Sequence, residues 1–239
     1  SPLIPPIEGL KGTSYLTYET VWGLDELPQS LVIVGGGYVG TELGQAFAAL
    51  GNQVKIIHAH SRPISNVEPD VSQAIQEQLE ADGVQFFLNA RAESVSYDNG
   101  TFQVGISDGD PVQGHSLLIA VGRRPNTARL KASQGNVELD DSGHIRVNEK
   151  FETSADGVYA IGDVTGQPAF THVSWEDYRR LKGLLNGEER SQMDRVLGYT
   201  FFTHPQVGRA GLTLDQAQQQ GWDARQVTLP LEQVARATE

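Results

Sequence analysis

The chain has 239 residues, 38% of them hydrophobic, which is enough for one large domain or two small ones with an ample core. A formal net charge of −12 argues against a nucleic-acid partner, because phosphate backbones are bound by clustered lysine and arginine. Cysteine is absent, which excludes disulfides, thiolate metal sites and a dithiol redox centre within these residues. No apolar run reaches the ~20 residues of a membrane helix and no signal segment begins the chain, so we expect a cytoplasmic protein with no membrane partner.

The first predicted structural unit is a strand, a turn and a helix. The opening SPLIPPIEGL contains three prolines and predicts an extended connector, with a disordered terminus as the alternative, and a short helix is predicted at 17–24. At residues 31–42, LVIVGGGYVGTE runs from four apolar residues into three glycines, and apolar residues then recur at helical spacing. A second strand is predicted at 55–58, which completes a βαβ unit over about 30–58.

The glycines of this unit match the dinucleotide fingerprint in their spacing, at Gly35, Gly37 and Gly40. The first glycine permits the turn, the second lets the backbone approach a pyrophosphate, and the third lets the helix pack against the strand. The phosphates are expected at the helix N-terminus, where free N–H groups and the helix dipole favour negative charge. The alternative is a glycine turn without a ligand.

The residues after the second strand bear on which nucleotide is bound. A ribose hydroxyl is normally held by Asp or Glu about 20 residues past the motif, and that position is His58. His60 and Arg62 follow, and no carboxylate occurs before Glu68. A guanidinium can donate two parallel hydrogen bonds to a phosphate, so we predict NADPH in preference to NADH. The alternative is that these are solvated loop residues and that NADH binds through its pyrophosphate alone.

The rest of the chain is predicted as a series of short elements. Asp70 is the predicted cap of a helix that ends at Asp82-Gly83. A third parallel strand is predicted at 84–88, and an antiparallel meander at 93–97, 102–106 and 116–121. Later strands are predicted at 145–147, 158–161, 199–202 and 226–229, and later helices at about 172–185 and 214–220.

Five motifs together resemble a known family. IPPIEGL, VGGGYVGTE, AVGRRPN, TSADGVYAIGDV and FFTHPQVGRAGLT follow one another over nearly the whole chain. In this order they resemble the FAD-dependent pyridine nucleotide-disulfide oxidoreductases, which include glutathione reductase, dihydrolipoamide dehydrogenase and mercuric reductase. The stretches FTHVSWEDYRRL and VTLPLEQVARA are more similar to the mercuric-reductase-like branch, including the reactive-chlorine-resistance flavoreductases.

The resemblance implies an α/β fold with several parts. Residues 1–14 would be a connector from the FAD domain, 15–125 a doubly wound, Rossmann-like NAD(P)H domain with a β-meander, 126–198 the second part of the FAD domain, and 199–239 the start of an α+β interface domain. The family's first FAD half, its cysteine pair and its interface His-Glu pair are missing from the sequence. We therefore expect a middle piece of a homodimeric parent enzyme, inactive on its own and without catalytic residues.

The resemblance also assigns cofactor contacts. Asp163 matches a residue that bonds the ribityl chain of FAD, and Tyr38 an aromatic that moves aside for nicotinamide. Glu42 and Gly122 match positions near that ring, and Ala92 a position near adenine; each has an ordinary turn, capping or packing role as its alternative. The backbone at 171–173 matches the flavin approach, where a helix N-terminus stabilises negative charge. The full set of predicted contacts is Gly35, Gly36, Gly37, Tyr38, Val39, Gly40, Thr41, Glu42, His58, His60, Arg62, Ala92, Gly122, Gly162, Asp163, Thr171, His172 and Val173.

Three functions are compatible with these patterns. The leading interpretation is the nucleotide-binding part of an FAD-dependent NAD(P)H oxidoreductase, which passes hydride from NAD(P)H to flavin and on to a disulfide or metal-ion acceptor. A redox-inert nucleotide-binding or sensing module is the alternative. A self-contained NAD(P) dehydrogenase is disfavoured, because no Ser-Tyr-Lys or His-based proton relay accompanies the fingerprint. His172 and His204 have no motif partner, so no catalytic residue and no metal site are assigned.

Overall fold

The computed structural model describes residues 1–230 and 233–234. Its central element is a four-stranded parallel sheet, whose strands and connecting helices are β1 Ser30–Val34, α1 Tyr38–Ala49, β2 Gln53–Ile57, α2 Pro69–Ala81, β3 Gln85–Phe87 and β7 Ser116–Ile119. The strands lie in the order β3-β2-β1-β7. The predicted βαβ unit and the third parallel strand are confirmed.

The two faces of β1 pack against different layers. Leu31 and Ile33 belong to a core shared with Phe47 of α1 and Leu79 of α2. The intervening residue Val32 belongs to a second core, shared with an antiparallel sheet of β4 Ala92–Asp98, β5 Thr101–Ile106 and β6 Val112–Gly114. Because β1 is buried on both faces, its sequence is continuously apolar rather than alternating. The α/β class is confirmed, with helices on one face of the parallel sheet and the meander on the other.

The meander differs from its prediction in its third strand. Residues 116–119 form β7, which runs parallel to β1 with Leu31 opposite Ser116. The third antiparallel strand is instead β6, in which Val112 pairs with Val104. The prediction at 116–121 was wrong because Leu117, Leu118 and Ile119 are all buried, the continuous apolar run of a parallel strand. The three residues of β6 are too few to give a periodic signal.

Two predicted helix features are also corrected. Helix α2 begins at Pro69 with Glu68 in the N-cap position, and no side chain caps it. Asp70 therefore lies inside the first turn, where its Oδ1 accepts a hydrogen bond from the Val71 N–H at 2.9 Å. A carboxylate in the first turn is favoured by the helix dipole without being the cap. The helix predicted at 17–24 is a single 3-10 turn, Val21–Gly23.

The C-terminal part has fewer strands than predicted. Its regular elements are α3 Thr171–Leu185, β8 Gly198–Phe201, β9 Val207–Ala210 and α4 Leu214–Gln219. Strands predicted at 145–147 and 158–161 are wrong: each segment makes one isolated bridge, and the Ile145 N–H bonds the Val164 carbonyl of a turn. The strand predicted at 226–229 is wrong as well, because that segment pairs with no strand among the described residues.

The β8–β9 unit docks on α1 through side-chain contacts. The Gln45 amide donates to the His204 carbonyl at 2.8 Å and accepts from the His204 N–H at 2.7 Å. Phe201 is fully buried in the same core as α1. No helix in the described part of the chain is both long and apolar enough to span a membrane.

Candidate functional site

The glycine turn between β1 and α1 is shaped by close backbone contacts. Gly35 has a φ of 113°, and a Cβ there would lie 2.4 Å from the Ala120 carbonyl oxygen. A Cβ on Gly40 would lie 1.8 Å from the Gly35 oxygen, so neither position has room for a side chain. Gly37 is different, because nothing lies within 4 Å of its Cβ position. The space beside Gly37 is therefore open to a ligand that approaches the backbone, as a pyrophosphate requires.

The start of α1 presents amides toward this space. Gly37 is the N-cap residue and supplies no side-chain cap, and the first helical bond runs from the Thr41 N–H to the Gly37 carbonyl. The buried Thr41 hydroxyl shares its one proton between the Gly37 carbonyl at 2.9 Å and the Tyr38 carbonyl at 3.1 Å, so it stiffens the turn. Val39 packs against the helix-side core. Uncapped amides at a helix N-terminus form an anion site, and the residues present fit a dinucleotide.

His58 supports the middle glycine. Its Nδ1 accepts a hydrogen bond from the Gly36 N–H at 3.0 Å, and the Gly36 carbonyl accepts from the Ile64 N–H at 2.8 Å. A Cβ on Gly36 would lie 2.9 Å from the His58 ring. Burial lowers the pKa of His58 below its ordinary 6.5, and the neighbouring His60, with ring centroids 5.1 Å apart, lowers it further. The imidazole is thus favoured in the neutral form that accepts the Gly36 N–H.

Arg62 lies on the same loop and is tied to it. Its Nη2 donates to the carbonyls of Ser65 and Val67, both at 3.2 Å. Its buried Nε has no hydrogen-bond partner within residues 1–230 and 233–234. His60 is exposed at the start of the loop. The structure therefore places His60 and Arg62 on one loop beside His58, with part of the guanidinium committed to the loop itself.

Ala92 and Gly122 lie on either side of this edge of the sheet. Two residues before Ala92, the Ala90 N–H donates to the His58 carbonyl at 3.0 Å, and Ala92 itself begins β4 and is half-buried. Gly122 follows β7 with a φ of 140° and lies two residues beyond Ala120, the residue in contact with Gly35. Parallel strands bring their carboxyl ends to one edge, which is why residues distant in sequence meet around the glycine turn.

A second cluster forms around the Gly162-Asp163 turn. Gly162 has a φ of 74°, and a Cβ there would lie 2.9 Å from the Ser174 hydroxyl. That hydroxyl donates to Asp163 Oδ1 at 3.4 Å. Arg123, which the sequence analysis did not single out, forms an ion pair with Asp163 Oδ2 at 2.9 Å. The Asp163 carboxylate is thereby fixed on one side by Ser174 of the C-terminal part and on the other by Arg123, which follows β7.

Helix α3 points its N-terminus at the same region. Phe170 is its N-cap residue and provides no side-chain cap, so the amides of Thr171 and His172 remain without backbone acceptors in the described residues. Val173 is only 2% exposed, which leaves its backbone rather than its side chain for a ligand. The His172 ring bonds the Gly198 carbonyl at 2.8 Å and stacks on Phe170. An uncapped positive helix end beside a fixed carboxylate fits a flavin with its polyol chain.

Tyr38 and Glu42 lie between the two clusters. The Tyr38 ring stacks on Phe201 with centroids 4.5 Å apart and lies 6.1 Å from Phe170. Burial raises the pKa of Tyr38 despite a hydrogen bond from Asn66, so the phenol stays protonated. Glu42 Oε1 accepts the backbone N–H of Phe202 at 2.8 Å. In this structure the two side chains join α1 to the β8–β9 unit.

A buried ion pair between Asp177 and Arg195 lies behind the second cluster, and no sequence motif had indicated it. Asp177 of α3 is 0% exposed, its Oδ1 is bound by Arg195, and its Oδ2 accepts the Gly162 N–H at 2.9 Å. The available signal was a carboxylate four residues after Val173, on the buried face of the helix. Within the part of the chain that the structure describes, no group of three or more His, Asp or Glu residues could hold a metal ion.

Similar proteins share this architecture. The probable pyridine nucleotide-disulfide oxidoreductase RclA of Escherichia coli K12 is 37% identical over 238 residues, 98% of this chain and 54% of the relative. The mercuric reductase of Lysinibacillus sphaericus is 32% identical over 241 residues, 99% of this chain and 44% of the relative. The chain thus spans about half the length of these relatives.

Solved structures agree with the sequence relatives. The Cu(II) complex of the HOCl-induced flavoprotein disulfide reductase RclA from Escherichia coli superposes with a TM-score of 0.91 at 36% identity, over 100% of this chain and 54% of that chain. LpdA from Mycobacterium tuberculosis superposes with a TM-score of 0.88 at 30% identity, over 100% of this chain and 52% of that chain. The family model described as pyridine nucleotide-disulphide oxidoreductase matches residues 1–177. With three quarters of its length matched and both turns in place, the chain belongs to the pyridine nucleotide-disulphide oxidoreductase family.

Proposed function

We propose that this chain is the nucleotide-binding part of an FAD-dependent NAD(P)H oxidoreductase. Residues 15–125 bind NAD(P)H, 126–198 complete the FAD site together with the other FAD half of the enzyme, and the segment from 199 takes part in a homodimer interface. The observation that carries the proposal is that α1 and α3 both begin without a side-chain cap. Each lies next to a glycine turn in which an added Cβ would collide with a neighbouring atom. Tyr38 links the two, because it begins α1 and its ring lies 6.1 Å from that of Phe170, the N-cap residue of α3.

The chemistry belongs to the cofactors, and the chain supplies binding and orientation. When both are bound in the whole enzyme, hydride passes from nicotinamide to flavin and on to a disulfide or a metal-ion acceptor. The start of α1 binds the pyrophosphate of the nucleotide, and Asp163 orients the flavin through its polyol chain. The positive end of α3 would stabilise negative charge at the flavin edge, and Tyr38 would move aside for the nicotinamide.

The glycine fingerprint provides the direct test of nucleotide binding. We expect Gly37→Val to weaken NAD(P)H binding by at least ~10-fold while thermal unfolding stays close to that of the unaltered protein, because the Cβ position is open but blocks approach to the backbone. Gly23→Val is the matched control, since Gly23 is also unobstructed and lies away from the site. Calorimetric titration measures both. If Gly37→Val bound NAD(P)H as tightly as the unaltered protein, the three glycines would serve only to form the turn and not to bind the nucleotide.

We further propose NADPH as the preferred nucleotide. His58 follows β2 in place of a carboxylate, and the exposed His60 lies on the adjoining loop with Arg62, whose buried Nε has no hydrogen-bond partner among the described residues. A charge-assisted hydrogen bond contributes about 1.5–3 kcal/mol, which corresponds to roughly 10- to 100-fold preference. We expect Arg62→Ala to abolish the preference and leave NADH affinity nearly unchanged, with the exposed Arg129→Ala as control. Equal or tighter NADH binding by the unaltered protein at low salt would contradict this proposal.

A further inference from the structure

We propose that Asp177, held by Arg195, is a positioning residue that fixes the flavin-binding turn before the cofactor arrives. The inference rests on the proposed role of Asp163 in FAD binding. Asp177 makes no hydrogen bond to Asp163 among the described residues; it acts through the backbone of Gly162, the residue immediately before Asp163.

The Asp177 carboxylate is completely buried. Asp177 has no exposed surface and lies on the same face of α3 as the buried Val173. A carboxylate in such a place is costly unless its charge is paired and its oxygens are hydrogen-bonded. Arg195 meets that requirement, because its side chain is only 6% exposed, its Nη1 binds Asp177, and its Nη2 donates to Gln167 Oε1 at 2.9 Å. The arginine thereby joins three separate chain segments at one point.

The second carboxylate oxygen of Asp177, Oδ2, is bound to the flavin-binding turn. Asp177 Oδ2 accepts the N–H of Gly162 at 2.9 Å, and hydrogen bonds to a charged acceptor are roughly twice as strong as neutral ones. Gly162 adopts a left-handed conformation with a φ of 74° and packs on Ser174. The carboxylate therefore fixes an amide inside the turn, and with it the direction in which the chain leaves toward Asp163.

The bond from Gly162 to Asp177 also affects Asp163, the proposed flavin contact. Asp163 is 40% exposed, so burial does not hold its carboxylate. Its position depends on Arg123 at 2.9 Å and on Ser174 at 3.4 Å, and the Ser174 contact requires the turn to lie against α3. A pair of apolar side chains could fill the volume of Asp177 and Arg195 with less desolvation, but it could not accept the Gly162 N–H. That difference separates a positioning role from simple packing.

Two double variants of the full-length enzyme isolate this difference. Asp177→Asn with Arg195→Gln removes both charges and keeps an oxygen that can accept the Gly162 N–H. Asp177→Leu with Arg195→Met removes the charges and the acceptor. We expect the Leu-Met protein to bind FAD about 10-fold more weakly and to exchange the Gly162 amide faster, whereas the Asn-Gln protein stays within about threefold of the unaltered enzyme. FAD affinity by flavin fluorescence and amide hydrogen exchange are the readouts, with Asp163→Ala as reference.

The outcomes separate this inference from the function on which it rests. If Asp163→Ala weakens FAD binding and the Leu-Met protein does not, the positioning role is wrong and the FAD contact stands. If Asp163→Ala leaves FAD affinity unchanged, the proposed FAD contact fails, and the positioning of the flavin turn fails with it. If neither double variant folds, the FAD-free unaltered enzyme decides: protection of the Gly162 amide supports a turn fixed in advance, and free exchange overturns it.

Discussion

The two glycine turns of this chain are built by different physical means. The turn at Gly35–Gly40 is held by direct backbone contact, since side chains at either end would collide with the Gly35 or Ala120 carbonyl oxygen. The turn at Gly162-Asp163 is held by side chains from elsewhere, Asp177 and Arg195 behind it and Arg123 in front. A turn of the first kind depends on residue size, and one of the second kind depends on charge and hydrogen bonding.

This difference also separates the two parts of the chain. The parallel sheet and its meander form continuous ladders around two apolar cores. The segment from 126 to 170 forms only isolated bridges and 3-10 turns. Several of its backbone amides donate to the side-chain oxygens of Asp140 and Asn148 rather than to other backbone groups. Substitutions should therefore act through packing in the first part and through polar contacts in the second.

The largest effect is expected from Arg195→Ala, which tests the second kind of turn. Removing the arginine leaves the Asp177 carboxylate buried without its ionic partner, which should lower the free energy of unfolding by about 3–5 kcal/mol. Urea unfolding followed by circular dichroism measures the loss. Arg190→Ala is the control, because its ion pair with Glu188 is half exposed and its removal should cost less than about 1 kcal/mol. Equal losses in the two variants would show that burial of the pair does not matter.

An intermediate effect is expected at the first turn. Gly40→Ala places a methyl group on the Gly35 carbonyl, and overpacking of this kind costs about 1–3 kcal/mol. Gly37→Val lies in the same turn, but its Cβ position is open, so it should change the free energy of unfolding by less than about 1 kcal/mol while it weakens nucleotide binding by at least ~10-fold. Thermal unfolding of the two variants side by side tests whether the space around each Cβ position decides how much stability is lost. A Gly40→Ala protein as stable as Gly37→Val would break the comparison between the two turns.

The smallest effect is a pH dependence that tests the side-chain hydrogen bond between His58 and Gly36 in the first turn. The pKa of His58 lies below 6.5 in the folded chain because of burial, so below about pH 6.5 the unfolded chain binds a proton that the folded chain does not. Stability should therefore be full at neutral pH and fall as the pH drops from 6.5 toward the folded-state value. Unfolding midpoints at pH 7.5 and 5.5 should converge in His58→Asn, which keeps an acceptor for Gly36. An unchanged slope in that variant would assign the acid sensitivity to other groups.

The sequence predicted best those elements whose signal is local. Residues 31–42 hold an apolar strand, a glycine turn and a helical period within twelve positions, and the structure reproduces all three. The segment 116–119 was recognised as a strand but assigned to the wrong sheet. Hydrophobic periodicity shows that a segment is extended, and it does not show which strand will pair with it.

The candidate site divides in the same way. The sequence indicated Gly35, Gly37 and Gly40, because their spacing is typical of a dinucleotide-binding turn. The role of His58 toward Gly36 and the engagement of Arg62 by its own loop could not, because each depends on a contact made only after folding. Arg123 stands next to the predicted Gly122, yet nothing in the sequence pairs it with Asp163.

The sequence by itself determined the class of the fold, the first βαβ unit, the glycine turn and the family, because these depend on short-range spacing and on motifs in a fixed order. Only the tertiary structure decided that β7 lies beside β1, that an imidazole supports the middle glycine, and that Asp177 and Arg195 meet behind Gly162. Side-chain hydrogen bonds and buried charges join residues that are far apart along the chain. Their partners are therefore set by packing rather than by any local pattern.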